Sequence, residues 1–425
     1  MAWHPHLWHP TTQVATAPEP LKVVAGRGAL LQLEDGRELI DAISSWWVTL
    51  HGHAQPQIAA AVAAQAQRLE QVIFANFSHD PAEQLAERLA ALSGLERLFF
   101  SDNGSTAVEV ALKIAWQWWR NKGEPRRQLI AFEGAYHGDT VGAMALGERS
   151  LFTAPYDDLL FEVARASWPA TWDGDTGGEA REAAALLELE RLLEQQPTAA
   201  VIFEPLIQGA SGMNMVTPAF LREVERRVRA SGALLIADEV MTGFGRTGSL
   251  FACQGAGIRP DLMALSKGLT GGFLPMGVTL AREALHQAFI GTDPALTFFH
   301  GHSFTANPLG CAAALASLDL LEANPRAYQG FEARHRPRLE ALAARRRQVM
   351  RPRCRGTIAA FDLVVEQPGY LNAVGRQLQR LCLEAGVYLR PLGHVVYLLP
   401  PLCLSEAQLD QCYAAIDSAL VQGLQ

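Results

Sequence analysis

Cysteine is sparse and unpaired in this sequence. Six thiols (Cys253, Cys311, Cys354, Cys382, Cys403, Cys412) are scattered along 425 residues with no CxxC spacing. This excludes ribbon-type zinc sites and thioredoxin-like redox pairs and reads as reduced thiols in a cytoplasm. Long hydrophobic runs are also missing, since no apolar stretch nears the roughly 18 residues of a bilayer span. The first residues, Met1-Ala2-Trp3-His4-Pro5-His6, carry no charged or apolar leader segment, so no secretory signal is expected. Basic charge is the minority, 36 Lys+Arg against 44 Asp+Glu for a net charge of −8. With no Lys/Arg stripe, a nucleic-acid partner is excluded, and Arg345-Arg346-Arg347 reads as a solvated helix face. No GxSxG elbow and no GxxxxGK[ST] loop occur, which removes the commonest hydrolase and ATPase signals. The histidine pairs His51/His53 and His300/His302 have no Cys or carboxylate at a fitting offset, so no metal site is expected.

What is present is ordinary for a globular chain: 49% apolar and 19% charged residues, enough for two or three domains. Short apolar runs alternate with amphipathic ones. Strands are expected at 98–101, 129–132, 199–204, 234–240, 262–266 and 278–281, with helices at 106–120 and 218–231 between them. Pro218 suits a first helical turn and Gly232 a position just past the end. Continuous apolar strands separated by helices predict an α/β architecture, a mostly parallel sheet with helices on both faces. The expected division is an N-terminal arm at 1–54, a large α/β domain at 55–305 and a smaller C-terminal α+β domain at 306–425. The arm shows a strand-turn-strand pattern around Glu34-Asp35-Gly36-Arg37 and should pack on the small domain or on a partner subunit. The small domain should hold strands at 357–365, 387–391 and 395–399 and helices at 370–384 and 406–421.

Gly243-Phe-Gly245-Arg-Thr-Gly248 matches GxGxxG after an apolar strand. A dinucleotide site needs a helix to begin there, and the following residues contain Gly255, Gly257 and Pro260, so a glycine-rich turn is the better reading. Two strand ends are more informative. Asp238 and Glu239 close one apolar run, and Lys267 closes the next. Ligands of open α/β sheets bind beyond the carboxyl ends of the strands. A lysine emerging from a buried strand is dehydrated, loses basicity and becomes a Schiff-base candidate. A nearby aspartate would keep a pyridinium nitrogen protonated. Asn103-Gly104-Ser105-Thr106 follows a strand and opens a helix, with Thr106-x-x-Glu109 as a capping box. Gly104, the Ser105 hydroxyl and the helix amides there suit a phosphate. Tyr136 sits on a strand-end loop, placed to stack on a planar ring. Together these point to pyridoxal 5'-phosphate.

The runs Ser101-Asp-Asn-Gly-Ser105, Tyr136-His-Gly-Asp139, Glu204-Pro205, Ala237-Asp-Glu-Val240, Gly243-Phe-Gly-Arg-Thr-Gly248 and Ser266-Lys-Gly268 resemble, in that order, the class III pyridoxal-phosphate aminotransferases. Within that class, Trp8-His9-Pro10, Ser44-Ser45-Trp46-Trp47 with His51-Gly52, and Leu389-Arg390-Pro391-Leu392-Gly393 are similar to the biotin-pathway enzymes. The resemblance implies fold-type I, a homodimer with shared active sites, and amino transfer from S-adenosylmethionine to 8-amino-7-oxononanoate to give 7,8-diaminononanoate. It assigns Lys267 as covalent anchor of the cofactor, Asp238 as partner of the ring nitrogen, Gly104 and Ser105 as phosphate ligands, and Tyr136 beside the ring. His300-Gly301-His302-Ser303 matches the loop reaching the neighbouring subunit's phosphate, usually His-Gly-Pro-Thr, so Gly301, His302 and Ser303 carry a changed version of it. Arg390 matches the arginine that grips the substrate carboxylate, a task suited to its fork, and Trp46 the apolar wall of the pocket. The arm reads His9-Pro10-Thr11-Thr12 where relatives often have a tyrosine at the third place. Alternative readings are another class III ω-amino-acid aminotransferase, using lysine, ornithine or 4-aminobutyrate, or a catalytically silent binding protein.

Overall fold

The computed structural model describes residues 3–423 apart from Pro368 and Leu371. The outermost residues of the expected arm and C-terminal domain, and one residue of the helix expected at 370–384, therefore lie outside the described residues. The central feature is a seven-stranded sheet. Its spatial order is Arg97–Ser101, Gly277–Ala281, Leu262–Leu265, Leu234–Asp238, Thr198–Phe203, Gln128–Phe132 and Ala164–Ala166. Neighbours pair parallel except around Gly277–Ala281, which runs antiparallel to the strand on each side. The six strands expected for this region are all present. The edge strand Ala164–Ala166 was not anticipated, because three residues of which one is Arg165 carry no periodic signal.

Both faces of the sheet are covered, and the side-chain alternation of the strands shows how. Ile130, Phe132, Val201, Phe203, Leu235, Ala237, Met263 and Leu265 enter one apolar cluster. Leu129, Ala131, Ile202, Leu234, Ile236, Leu262 and Ala264 enter another on the opposite face. Successive residues of a strand point to opposite sides, so strands apolar at every position are the pattern a doubly covered sheet requires. Each large aliphatic or Phe side chain so buried contributes roughly 1.5–3 kcal/mol. The helix Pro218–Ser231 begins and ends as expected, with Thr217 accepting the Phe220 amide and Gly232 at φ +71° closing it.

One local expectation is corrected. The helix Gly104–Asn121 is capped by Asn103, whose side chain accepts the Thr106 amide while the Thr106 hydroxyl accepts the Asn103 amide, both at 3.0 Å. Thr106 is thus the third residue of the helix and not its cap. Glu109 instead accepts the amides of Gly142 (2.8 Å) and Ala143 (3.2 Å) at the start of the helix Val141–Leu146. The GxGxxG run forms turns with Gly245 at φ +90° and Gly248 at φ +91°, and the next helix is the short Ala252–Ala256. Arg246 within it is fully buried and donates to the carbonyls of Pro400 (2.8 Å) and Trp47 (3.4 Å).

The C-terminal part holds an antiparallel sheet of Val349–Arg355, Ile358–Leu363 and Val395–Leu398, backed by the helix Phe331–Arg345, against which the helix Glu406–Val421 packs. The strand expected at 387–391 is the two-residue Val387–Tyr388. It joins the N-terminal strands Val23–Arg27, Leu30–Leu33 and Glu38–Asp41 by pairing parallel to the last of these, not the C-terminal sheet. The first and last parts of the chain are thereby hydrogen-bonded together. Among the described residues no helix is long and apolar enough to cross a membrane.

Candidate active site

The sheet delivers its loops to one edge. At the carboxyl ends of the parallel strands, Gly104, Ser105, Tyr136, Asp238 and Lys267 line a single cavity of about 630 Å³. His137, Glu204 and Trp47 line it with them. Asp238 ends the buried strand Leu234–Asp238, while the adjacent Glu239 points to the other side. There Glu239 accepts the amides of Ala252 (2.7 Å) and Cys253 (2.8 Å), so one of two neighbouring acids serves the cavity and the other holds a helix start. Lys267 follows the strand Leu262–Leu265 in a left-handed conformation, φ +42°. Such a conformation in a non-glycine residue is strained and persists where the surroundings over-determine it.

The cavity's charges are buried and coupled. Asp238 Oδ2 lies 2.7 Å from His137 Nδ1, and Asp238 Oδ1 accepts the Val240 amide at 3.0 Å. His137 is buried and its Nε2 has no hydrogen-bond partner among the described residues. Glu204 accepts the Tyr136 amide (3.1 Å) and the Gly209 amide (2.9 Å), and burial pushes its carboxyl up to about 7. Burial also holds the Lys267 ammonium below the usual lysine range, against the opposing pull of Asp238 and Glu204. Its Nζ stands 4.7 Å from the centre of the Trp47 ring, a cation–π contact that partly replaces lost hydration. The Tyr136 phenol is raised by burial and by Asp139, to which it donates at 3.0 Å.

The opposite wall is built for an anion. Asn103 uses its side chain on the Thr106 amide, which leaves the amides of Gly104 and Ser105 ahead of it at the open end of an 18-residue helix. A Cβ on Gly104 would stand 2.7 Å from Val240 Cγ1. Gly138, at φ +134°, passes so close that a Cβ there would lie 2.0 Å from Ser105 Oγ. Both glycines are needed for the loops to approach each other around the cavity.

The remaining expected residues lie elsewhere. Arg390 and Trp46 form a pair outside the cavity lining, with the guanidinium carbon 5.0 Å from the ring centre. Arg390 Nη2 donates to Thr11 Oγ1 at 3.1 Å, so the arm threonine touches the arginine directly. Gly301, His302 and Ser303 belong to a separate turn in which His302 donates its amide to Thr305 Oγ1 (3.0 Å) and Gln71 donates to the Ser303 carbonyl (2.9 Å). Their side chains do not line the cavity of this chain. Sequence reasoning assigned no role to His137 or Glu204, read Trp47 only with Trp46 as an apolar wall, and did not foresee the Trp47–Lys267 or Thr11–Arg390 contacts. Glu204 was within reach, because it follows the apolar strand Thr198–Phe203 and meets the same strand-end rule as Asp238. The His137–Asp238 pair joins residues 101 apart in sequence and had no local signal.

The family model for class-III aminotransferases matches residues 11–420. A protein of Synechococcus elongatus named adenosylmethionine-8-amino-7-oxononanoate aminotransferase is 58% identical over 422 residues, covering 99% of each chain. A Geobacter sulfurreducens protein of the same name is 41% identical, covering 95% of this chain and 93% of its own. The crystal structure of the Methanocaldococcus jannaschii protein of that name superposes with a TM-score of 0.91 at 31% identity, covering 98% and 97%. An amine transaminase from an uncultivated Pseudomonas species, solved with PLP bound, superposes with a TM-score of 0.93 at 30% identity, covering 99% of this chain and all of that one.

Proposed function

Because this chain belongs to the class III aminotransferases, we propose that it transfers the amino group of S-adenosylmethionine to 8-amino-7-oxononanoate, giving 7,8-diaminononanoate for biotin synthesis. It is a pyridoxal 5'-phosphate-dependent transaminase of fold-type I. The observation that carries the substrate assignment is the shared name of relatives matched over nearly their whole length at up to 58% identity. The cavity fits the cofactor. Its two crowded glycines, the open helix end beside Ser105 and the buried His137–Asp238 pair answer to a phosphate at one end and a ring nitrogen at the other.

In this reading Gly104 and Ser105 hold the phosphate, Tyr136 lies beside the ring, and Asp238, oriented by His137, keeps the ring nitrogen protonated. When bound, the protonated ring supplies an electron sink at the amine-bearing carbon of the substrate. Lys267 would hold the cofactor covalently, and its amine is the base that moves the proton. Its burial suits this role, because dehydration holds the ammonium below the usual lysine range and so favours the neutral amine that accepts a proton. Arg390, laid over Trp46, grips the substrate carboxylate, and Trp46 forms the apolar wall for the chain. The two half-reactions share this one space in turn. His302 and Ser303 reach the phosphate of a neighbouring subunit in a homodimer, with Gly301 giving the loop its approach to substrate. The arm at 1–54, the cofactor domain at 55–305 and the small domain at 306–425 are the working units.

A single-turnover donor screen tests the assignment by following the cofactor's absorbance on mixing with one donor at a time. Rapid conversion by S-adenosylmethionine and none by lysine, ornithine or 4-aminobutyrate is the expected result. The reverse pattern would overturn the donor while leaving the class of reaction standing.

A further inference from the structure

Trp47, which lines the cavity, and Trp46, which lies under Arg390 outside it, are adjacent in sequence, and the turn that presents them is strained. Ser44, Ser45 and Trp47 all have positive φ, at +53°, +61° and +68°. No glycine relieves this, so neighbouring groups must hold the turn in place. For Trp47 the anchors are its indole N–H to Tyr397 Oη (3.0 Å) and its carbonyl to Arg246. The other side, around Ser45 and Trp46, is held by Asp41. This aspartate has no exposed surface. Its Oδ1 accepts the Ile43 amide at 3.2 Å. Its Oδ2 accepts the Ser45 amide at 2.6 Å and the Ser45 hydroxyl at 3.3 Å, and lies 2.9 Å from His53 Nε2. Three of the four contacts fall on the chain immediately before Trp46, the ring over which Arg390 sits.

We propose that Asp41, braced by His53, is a positioning residue for substrate: it fixes the turn that sets Trp46 beneath Arg390, and through it the arginine's reach to the carboxylate. This rests on the reading of Arg390 as the carboxylate grip. A buried carboxylate that accepts several N–H groups is a strong and directional clamp. Its amide counterpart lacks the charge and, in either orientation, turns a donor towards one of the two backbone N–H groups that the carboxylate accepts, that of Ile43 or that of Ser45.

The test is a double-mutant cycle on the holoenzyme with D41N and R390A. D41N should raise KM for 8-amino-7-oxononanoate by about tenfold or more while the cofactor's absorbance and stoichiometry stay intact, because Trp47 keeps its own anchors. In the R390A background D41N should add less than about twofold, since the two act through one contact. Effects that multiply, or a loss of active enzyme at unchanged KM, would make Asp41 merely structural and overturn the proposal. If D41N does not fold, H53A and H53Q replace it. H53A should raise KM, and H53Q, which can still donate to Asp41 Oδ2, should restore most of it; equal effects of the two would be equally fatal. Should R390A alone leave KM unchanged, the Arg390 reading falls and this proposal with it. A null result for D41N beside a large effect of R390A removes this proposal only.

Discussion

Truncating Arg390 to alanine isolates the recognition half of the site from the chemistry. The guanidinium lies over the Trp46 ring and donates to Thr11, and it stands apart from the cavity that Lys267 and Asp238 line. The change therefore removes a grip on substrate without touching the cofactor's anchors. A charge-assisted, two-pronged contact with a carboxylate is worth on the order of 2–4 kcal/mol. At 1.4 kcal/mol per factor of ten, that predicts a loss of roughly 30- to 700-fold in kcat/KM for 8-amino-7-oxononanoate. The stacking on Trp46 exists before substrate arrives and largely cancels from this difference. Losing both contacts adds little folding cost, because Trp46 and Thr11 are exposed and water can take the place of the guanidinium. The assay is steady-state turnover with the donor saturating and the oxo-acid varied, alongside the same measurement on its methyl ester. The ester should be transformed almost equally by R390A and the parent enzyme. A change below about twofold for the acid, or the same loss for acid and ester, would refute the assignment.

Further outcomes follow from the same geometry. Lys267→Ala should give a protein that no longer shows the yellow absorbance of the covalently held cofactor and has no transaminase turnover; a K267A protein that remained yellow and active would remove Lys267 from its role. Thr11→Val keeps the side chain's shape but deletes its hydrogen bond to Arg390; an exposed bond worth about 0.5–1.5 kcal/mol predicts a rise in KM for the oxo-acid of roughly two- to tenfold, read by steady-state kinetics. Burial raises the Glu204 carboxyl from 4.5 to about 7. An acid whose folded-state pKa is raised keeps a proton that the unfolded chain has already released. Its stabilising contribution is therefore full below the unfolded value and is lost as pH rises toward about 7. The urea midpoint of apoenzyme should fall across that window more steeply for the parent than for Glu204→Gln, and parallel curves would contradict the burial argument.

Much of the architecture was legible because its signals are local. Runs such as Leu234-Leu-Ile-Ala and Leu262-Met-Ala-Leu are apolar at consecutive positions and alternate with amphipathic helical segments, the pattern of a sheet buried on both faces. The acid and the lysine that close those runs mark the working edge of the sheet. The short edge strand Ala164–Ala166 and the pairing of Val387–Tyr388 with the N-terminal strands carried no such signal, since a few residues cannot establish a period. The capping of Gly104–Asn121 was misplaced because Asn103 and Thr106 are both good cap residues, and only the path of the preceding loop decides between them.

By itself, then, the sequence determined the class of fold, the strand ends that bear Asp238 and Lys267, and the glycine-serine loop at a helix start. Each of these depends on residues within a few positions of one another. Tertiary structure alone decided that His137 pairs with Asp238, that Glu239 turns away to hold a helix start, and that Trp47 lies against Lys267. It also decided that Thr11 meets Arg390 across 379 residues. Such contacts join segments whose separation in sequence encodes no distance in space. They form only when packing of the two faces of the sheet brings the loop ends together, and the burial that comes with packing is what shifts the lysine and the glutamate.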